Sequence, residues 1–128
     1  MSRNPEPDYG QELPKLQGHT IGVVDSPASC EPIVDALEAT GIDSSRVLIF
    51  EGDDGIQLID RMMVGSQWGE SAEAFLKQAR AELEDGHAII SVKVADANEA
   101  SVIATVATQF TGRSFYHFGE LVDTRLTR

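Results

Sequence analysis

The sequence predicts an α+β domain in which helices pack on a four-stranded antiparallel sheet. Two segments share the order strand, helix, strand, and the helix of each ends at a glycine, Gly41 or Gly112. Two such units in one small chain are typical of the split βαβ, ferredoxin-like sandwich. A helical segment is inserted between the second and third strands. The four strands are expected over about 19–25, 47–50, 88–94 and 114–118.

The length of 128 residues allows one domain. Residues 1–17 are polar and contain three of the five prolines, so we expect a flexible N-terminal arm there. The α+β domain is predicted over 18–122, and residues 123–128 are expected to form a C-terminal tail.

Charge and cysteine content narrow the functional classes. The formal net charge of −11 disfavours nucleic acid and anionic membranes as partners. Cys30 is the single cysteine, so no intramolecular disulfide can form and a reducing compartment is expected. No run of 18 apolar residues could span a membrane, and the N-terminus lacks the apolar stretch of a secretory signal. These features predict a cytoplasmic protein.

The first strand contains Gly22, which indicates a bulge or a close backbone approach. The helix after it has two possible starts. Ser29 is preferred as the N-cap, because a start at Ser26 would place Pro32 inside the helix. Gly41 ends this helix. Its buried stripe is expected to be Ala36 together with Ile33, Val34 and Leu37.

The inserted segment begins with the acidic turn 51–55, where Asp53 or Asp54 is expected to cap a short helix. That helix breaks at 64–67, and a second helix ends at Asp85-Gly86. Apolar residues fall at helical spacing in both. They are Ile56, Leu58, Ile59, Met62 and Met63 in the first helix, and Trp68, Ala72, Phe75, Leu76, Ala79 and Leu83 in the second.

The third strand alternates, so one face carries Ile90, Val92 and Val94. The other face carries Ile89 and Lys93, and the charge of Lys93 predicts that this face is the more solvent-exposed one. Asp96 or Asn98 caps the last helix. The buried side of this helix is expected to be Val102, Ile103, Val106 and Phe110.

The chain resembles the bacterial general-stress-protein domain of the YflT-like type over about 20–122. The residues that carry the resemblance are structural: Val24-Asp25-Ser26, Gly41, Asp85-Gly86, the strand through Val94, Asp96-Ala97-Asn98-Glu99-Ala100 and Phe118-Gly119. The resemblance implies this fold and an association with stress response. It supplies no catalytic residues.

The first half is also similar to the opening of ACT-type amino-acid-binding domains. The similarity rests on Asp25, Pro27-Ala28 and Gly41-Ile42-Asp43. That family usually has glycine where this chain has Ala28, and the glycine lets the backbone approach a ligand. The segment between the second and third strands is also far longer than the usual hairpin loop of about 2–5 residues. An ACT-like small-molecule sensor therefore ranks second.

Three histidines are the candidate metal ligands, namely His19, His87 and His117. If the first and third strands are parallel neighbours and the fourth is antiparallel to the first, all three lie at one end of the sheet. Imidazoles suit zinc, copper, nickel or iron. None of the three has the HxH or HxxxH spacing of a local metal motif, so strand-end positions without a metal are the simpler interpretation. A metal ion is the one cofactor that this pattern allows.

Two further motifs have simpler structural interpretations. Cys30 lies near a helix N-terminus, where a thiolate sensor could form, but a small semi-buried residue is the usual role of a free cysteine. The acidic turn 51–55 lacks the alternating ligands and distal glutamate of a calcium loop. No P-loop, GxGxxG or Ser-His-Asp grouping occurs, so no catalytic residue is predicted.

One sheet face is expected to lack helices and to expose Ile89 and Phe115, with Ile21 and Val23 beside them. Either the inserted helices cover this face or two subunits pack through it, and we favour self-association as a homo-oligomer. The sequence thus predicts a non-enzymatic cytoplasmic protein of the general-stress type. It would act by self-association and by binding a protein or small ligand. The alternatives are a metal-binding protein or metal-dependent enzyme using the histidines, and an ACT-like sensor.

Overall fold

The structure is a computed structural model that describes residues 18–65, 70–118 and 123–126. The arm predicted for 1–17 and Trp68 lie outside the described residues. The strands are β1 (His19–Val24), β2 (Val47–Phe50), β3 (Ala88–Lys93), β4 (Gly112–Phe118) and β5 (Asp123–Arg125). The helices are α1 (Cys30–Ala39), α2 (Gly52–Gly65), α3 (Glu70–Glu84) and α4 (Ala97–Thr108).

The strands form one antiparallel sheet in the order β2-β3-β1-β4-β5. The first four have the order and directions of the ferredoxin-like fold, so the predicted fold class is confirmed. Residues 123–125, expected in the tail, pair with β4 as an additional edge strand. The expectation that β1 and β3 are parallel is wrong, because His19 lies opposite Lys93 and Val24 lies opposite Ala88.

Helices α1 and α4 cover one face of the sheet. The predicted stripe of Ile33, Val34 and Leu37 is buried there against Ile90 and Val92 of β3. The prediction that Val102 is buried is wrong, since this side chain is 42% exposed. α4 instead buries Ile103 together with three small residues that let it lie close to the sheet; these are Ala100, Ala104 and Ala107.

Helices α2 and α3 cover the opposite face. This is the first of the two alternatives for that face, cover by the inserted helices, and it is confirmed. The apolar residues of these helices pack on Ile21, Val23 and Ile89 of the sheet. The Phe75 ring of α3 meets the Phe118 ring edge-on, with the ring centroids 5.7 Å apart. Homo-oligomer formation through a helix-free face is therefore wrong, because this face is buried within the chain itself.

The ring of Phe115 explains why position 22 is a glycine. A Cβ atom at Gly22 would overlap the ring of Phe115, and the pairing register of β1 with β4 shifts between Ile21 and Val23. Ser114 lies in this bulge with a φ of 55°. The bulge turns Phe115 into the α1/α4 core, so the expectation that it shares a face with Ile89 is wrong.

The helix starts follow local hydrogen bonds. Ser26 accepts a bond from the Ala28 amide and begins a 3-10 turn over Pro27–Ser29, after which α1 starts at Cys30. Asp96 caps α4 by accepting a bond from the Glu99 amide. Asp53 and Asp54 lie inside the first turn of α2 instead of capping it, because that helix already begins at Gly52.

Candidate functional site: an ionic network at one end of the sheet

The three histidines do not converge. His19 begins β1 and His117 lies near the end of β4, so both are at the same end of the sheet. His87 precedes Ala88, which pairs with Val24 at the other end of β1. At a rise of about 3.3 Å per residue, the length of β1 separates His87 from His19 by roughly 17 Å.

His19 and His117 also occupy different faces. His117 lies opposite Thr20, and its Nδ1 is 3.4 Å from Thr20 Oγ1. Since neighbouring residues of a strand point to opposite faces, His19 faces away from this pair. A three-histidine metal site cannot form from this arrangement. Within the described ranges, no group of three or more His, Cys, Asp or Glu side chains is arranged to hold a metal ion.

His87 instead belongs to an ionic network with Asp25, Glu82 and Arg113. Arg113 donates from both terminal nitrogens to the Glu82 carboxylate at 2.7 and 2.8 Å, and from Nε to Asp25 Oδ1 at 2.6 Å. His87 Nδ1 lies 2.6 Å from Glu82 Oε1. The network therefore ties α3 to β4, to the end of β1 and to the start of β3.

The hydrogen on His87 follows from its partner. A carboxylate without a proton can only accept hydrogen bonds, so the short contact with Glu82 places a hydrogen on His87 Nδ1. The contact of 3.3 Å between Arg113 Nη2 and His87 Nδ1 is then between two donors. The two nitrogen atoms are close together but form no hydrogen bond with each other.

The contacts within the network stabilise the charged forms of Glu82 and Arg113. Hydrogen bonds from Arg113, and then from His87, lower the pKa of Glu82 to about 2 against its partial burial. The Glu82 carboxylate, and then Asp25, raise the pKa of Arg113 above its ordinary value. Both groups therefore stay charged across the physiological range.

Local structure explains why these four residues meet. Gly86, with a φ of 89°, ends the turn after α3 and lets His87 fold back beside Glu82. The bulge at Ser114 lies directly after Arg113, which is placed opposite Val23 at the end of β1. Asp25 is the first residue after β1.

Cys30 is close to this end of the sheet but is inert. It is 3% exposed in the α1/α4 core. Desolvation, followed by the charge of Glu51, raises the pKa of the thiol to about 11. A thiolate sensor needs an accessible thiol with a lowered pKa, so the burial interpretation of Cys30 is supported.

An open groove of about 260 Å³ lies at the far end of α1, lined by Glu38, Gly41, Ile42 and Asp43. Typical ligand pockets enclose about 300–1,000 Å³ and are lined mainly by apolar side chains. This groove is smaller and bears two carboxylates, so the ionic network is the stronger candidate site.

Glu82 and Arg113 were not predicted as site residues, and His87 was predicted as a metal ligand. The network joins four separate segments, and no spacing motif connects them. One signal was present in the chain: Arg113 lies near the start of β4 and Asp25 directly follows β1, and antiparallel pairing of two strands brings such residues together.

Comparison with known proteins gives no indication of the function. No protein-family model, no curated protein and no solved structure matches the chain. Among the helices of the described residues, none combines the length and apolar character that crossing a membrane requires.

Proposed function

We propose that the protein is a non-enzymatic, cytoplasmic binding protein of the general-stress type, and that it recognises its ligand at the ionic network. One observation carries this proposal. Two carboxylates, a guanidinium and an imidazole are in contact at one end of the sheet; they belong to Asp25, Glu82, Arg113 and His87.

The charge states of the network favour binding over acid–base chemistry. A general acid or base works best when its pKa lies near the operating pH. The pKa of Glu82 is about 2, and that of Arg113 is raised above an already high value. These two groups act as fixed charges, which suits recognition of a polar ligand.

A ligand could replace one of the two carboxylate partners of Arg113. Glu82 holds both terminal nitrogens and is 14% exposed, whereas Asp25 holds only Nε and is 49% exposed. A carboxylate or phosphate from a ligand can replace Asp25 at lower cost than Glu82, because the Asp25 pair is closer to water. The expected ligand therefore bears an anionic group that Arg113 binds.

Ligand-dependent thermal shifts test this function, because a ligand that binds only the folded state raises its stability. The probes are the individual amino acids, inorganic phosphate and citrate. We expect at least one of them to raise the melting temperature of the native protein. R113Q should abolish the shift. R80Q is the matched control, since Arg80 also pairs with two carboxylates, Asp60 and Glu84, but outside the network.

A shift retained in R113Q would contradict recognition by the network. The absence of any shift with these probes would contradict small-ligand binding. In that case the network would remain only as a structural link between α3 and the sheet.

An ACT-like sensor is the second candidate, favoured by the position of Asp25. This residue opens the 25–28 turn and pairs with Arg113, so a zwitterion could place its carboxylate on Arg113 and its ammonium on Asp25. The D25N substitution separates the two candidates. It should strengthen binding of a simple anion, because a repelling charge is removed, and weaken binding of an amino acid.

The stress association rests on the family resemblance. We expect the amount of the protein to rise when the organism that encodes it is exposed to heat, salt or ethanol. Quantitative immunoblotting before and after exposure measures this. An unchanged amount under all three treatments would contradict the stress role without affecting the binding proposal.

A further inference from the structure

Thr111 has a backbone conformation that does not suit its side chain. Its φ of 67° lies in the left-handed region, where a β-branched residue is a rare outlier because its side chain crowds the backbone. Among the described residues, Ser114 is the other non-glycine residue with a left-handed φ, and it lies in the bulge that turns Phe115 into the core. The remaining left-handed positions are Gly18, Gly41, Gly52 and Gly86.

The turn between α4 and β4 explains the conformation of Thr111 but not the choice of threonine. Glycine adopts a left-handed φ without the steric cost of a side chain. The chain has its glycine one position later, because a Cβ atom at Gly112 would lie 2.6 Å from the Ala107 carbonyl oxygen. The Thr111 side chain is exposed, so it adds no burial to the fold. Strained residues of this kind cluster at binding and catalytic sites, which favours a role in binding.

The Thr111 hydroxyl is accessible to a ligand. Within 18–65, 70–118 and 123–126, the hydrogen bond that the structure gives to Thr111 is made by its carbonyl oxygen and not by its hydroxyl. An exposed hydroxyl bonds to water, and a ligand that reproduces the hydrogen bond of a loosely held water can replace it at little cost.

Thr111 lies directly beside the ionic network. Its carbonyl oxygen accepts a hydrogen bond of 3.4 Å from the Asp25 amide, and Asp25 Oδ1 accepts the Nε–H of Arg113 at 2.6 Å. Thr111 also precedes Arg113 by two residues in the chain. An anionic group that replaces the Asp25 carboxylate on Arg113 would therefore lie next to Thr111.

We propose that Thr111 is a ligand-binding residue of the network, and that its hydroxyl donates a hydrogen bond to the anionic group held by Arg113. This inference rests on the proposed function. The bound group is an oxyanion with at least two accessible oxygen atoms, because Arg113 Nε and the Thr111 hydroxyl each donate to one of them. Phosphate and carboxylate groups share this chemistry.

The variants T111G and T111S test this role by thermal-shift titration of the full chain. Inorganic phosphate and citrate are the probes, and they distinguish a phosphate from a carboxylate as the bound group. T111G removes the hydroxyl and should raise the apparent dissociation constant about tenfold or more, as expected when a hydrogen bond to a charged group is lost. T111S keeps the hydroxyl and should stay within about threefold of the native protein.

The melting temperature without ligand separates binding from a structural role. Glycine relieves the strain at position 111 but adds freedom to the unfolded chain. T111G should therefore melt within a few degrees of the native protein or above it. T40G is the control for binding, because Thr40 is an exposed threonine with a φ of −91° at the far end of α1. It should leave the dissociation constant within about threefold of the native value.

Four outcomes would overturn the inference. A dissociation constant unchanged in T111G, with binding abolished in R113Q, would remove Thr111 from the site and leave the proposed function in place. Equal weakening by T111G and T111S would show that the hydroxyl makes no contact with the ligand. A clear fall in the melting temperature of T111G would assign Thr111 to the fold. The absence of any shift with either probe would contradict small-anion binding by the network as well.

Discussion

Gly22 lies where the packing of the sheet leaves no room for a side chain. The ring of Phe115 lies where a side chain at position 22 would go. We expect G22A to lower the free energy of unfolding by about 1–3 kcal/mol, the usual cost of overpacking a core. Urea denaturation measures this cost.

The double variant G22A/F115L tests whether the ring is the cause. A smaller side chain at 115 leaves room for the added methyl group, so G22A should cost less in the F115L background. An equal cost in both backgrounds would assign the effect of G22A to the backbone instead of to Phe115.

Glu82 makes the stability of the protein depend on pH in the acid range. Arg113, and then His87, lower the pKa of this carboxyl to about 2 from an ordinary value near 4.5. Its stabilising contribution is complete above the ordinary pKa and is lost as the pH falls towards 2. We expect E82Q to lose roughly 2 kcal/mol at pH 7, after allowance for solvent screening.

Urea denaturation of the native protein and E82Q between pH 7 and pH 2 measures this contribution. The difference in unfolding free energy should stay constant down to about pH 4.5 and then shrink. A difference that stayed constant to pH 2 would show that Glu82 acts through packing, independently of its charge.

Cys30 should resist alkylation in the folded protein. With a pKa of about 11, about one thiol in a thousand is ionised at pH 8, and burial blocks access to it. Iodoacetamide should modify the unfolded chain rapidly and the native chain at least about a hundredfold more slowly. Mass spectrometry over a time course gives both rates, and comparable rates would disprove the burial of this thiol.

At the scale of elements, apolar packing holds the inserted helices on the sheet. Leu76 of α3 is fully buried, whereas the ion pair of Arg80 with Asp60 of α2 is partly exposed on both sides. We expect L76A to cost about 2–5 kcal/mol and R80Q less than about 1 kcal/mol. Thermal and urea unfolding measure both, and a reversed order would show that the ion pair holds this layer.

The elements themselves could be predicted from periodicity. The stripe of Ile33, Val34 and Leu37 indicated the buried side of α1, and the structure confirms it. The alternation in β3 was a poorer guide, because Ile89 is buried as fully as Ile90 although its face was predicted to be the more solvent-exposed one. Periodicity alone did not separate Val102 from Ile103 on α4, because both are β-branched apolar residues in a weakly amphipathic helix.

The candidate site could not be predicted in the same way. The contact of Glu82 with Arg113 depends on where α3 lies on the sheet and on the bulge at Ser114. Neither has a local sequence pattern. The histidine hypothesis failed for a related reason, because one wrong strand direction moves His87 to the opposite end of the sheet.

At the scale of the whole molecule, self-repulsion of the acidic surface should limit stability. The chain has 21 acidic and 10 basic residues, and salt screens the repulsion among exposed charges. We expect the melting temperature of dilute protein at pH 7 to rise by a few degrees between about 0.05 M and about 0.5 M NaCl. Differential scanning calorimetry measures this shift.

The matched control is the same experiment at pH 4.5, close to the isoelectric point of the sequence. Net repulsion disappears there, so the effect of salt should vanish or reverse. An equal rise at both pH values would show that salt acts through solvation of apolar surface.

The pairing of β2 with β3 has a consequence for the order of folding. Phe50 lies opposite Ile89, so residues 51–88 form the connection between the paired ends of β2 and β3, in place of a short hairpin turn. Closing a flexible loop of that length costs more conformational entropy than closing a short one. If α2 and α3 pair first, they shorten the effective loop. The helices that cover the sheet would then also serve as the scaffold on which the β2–β3 ladder closes.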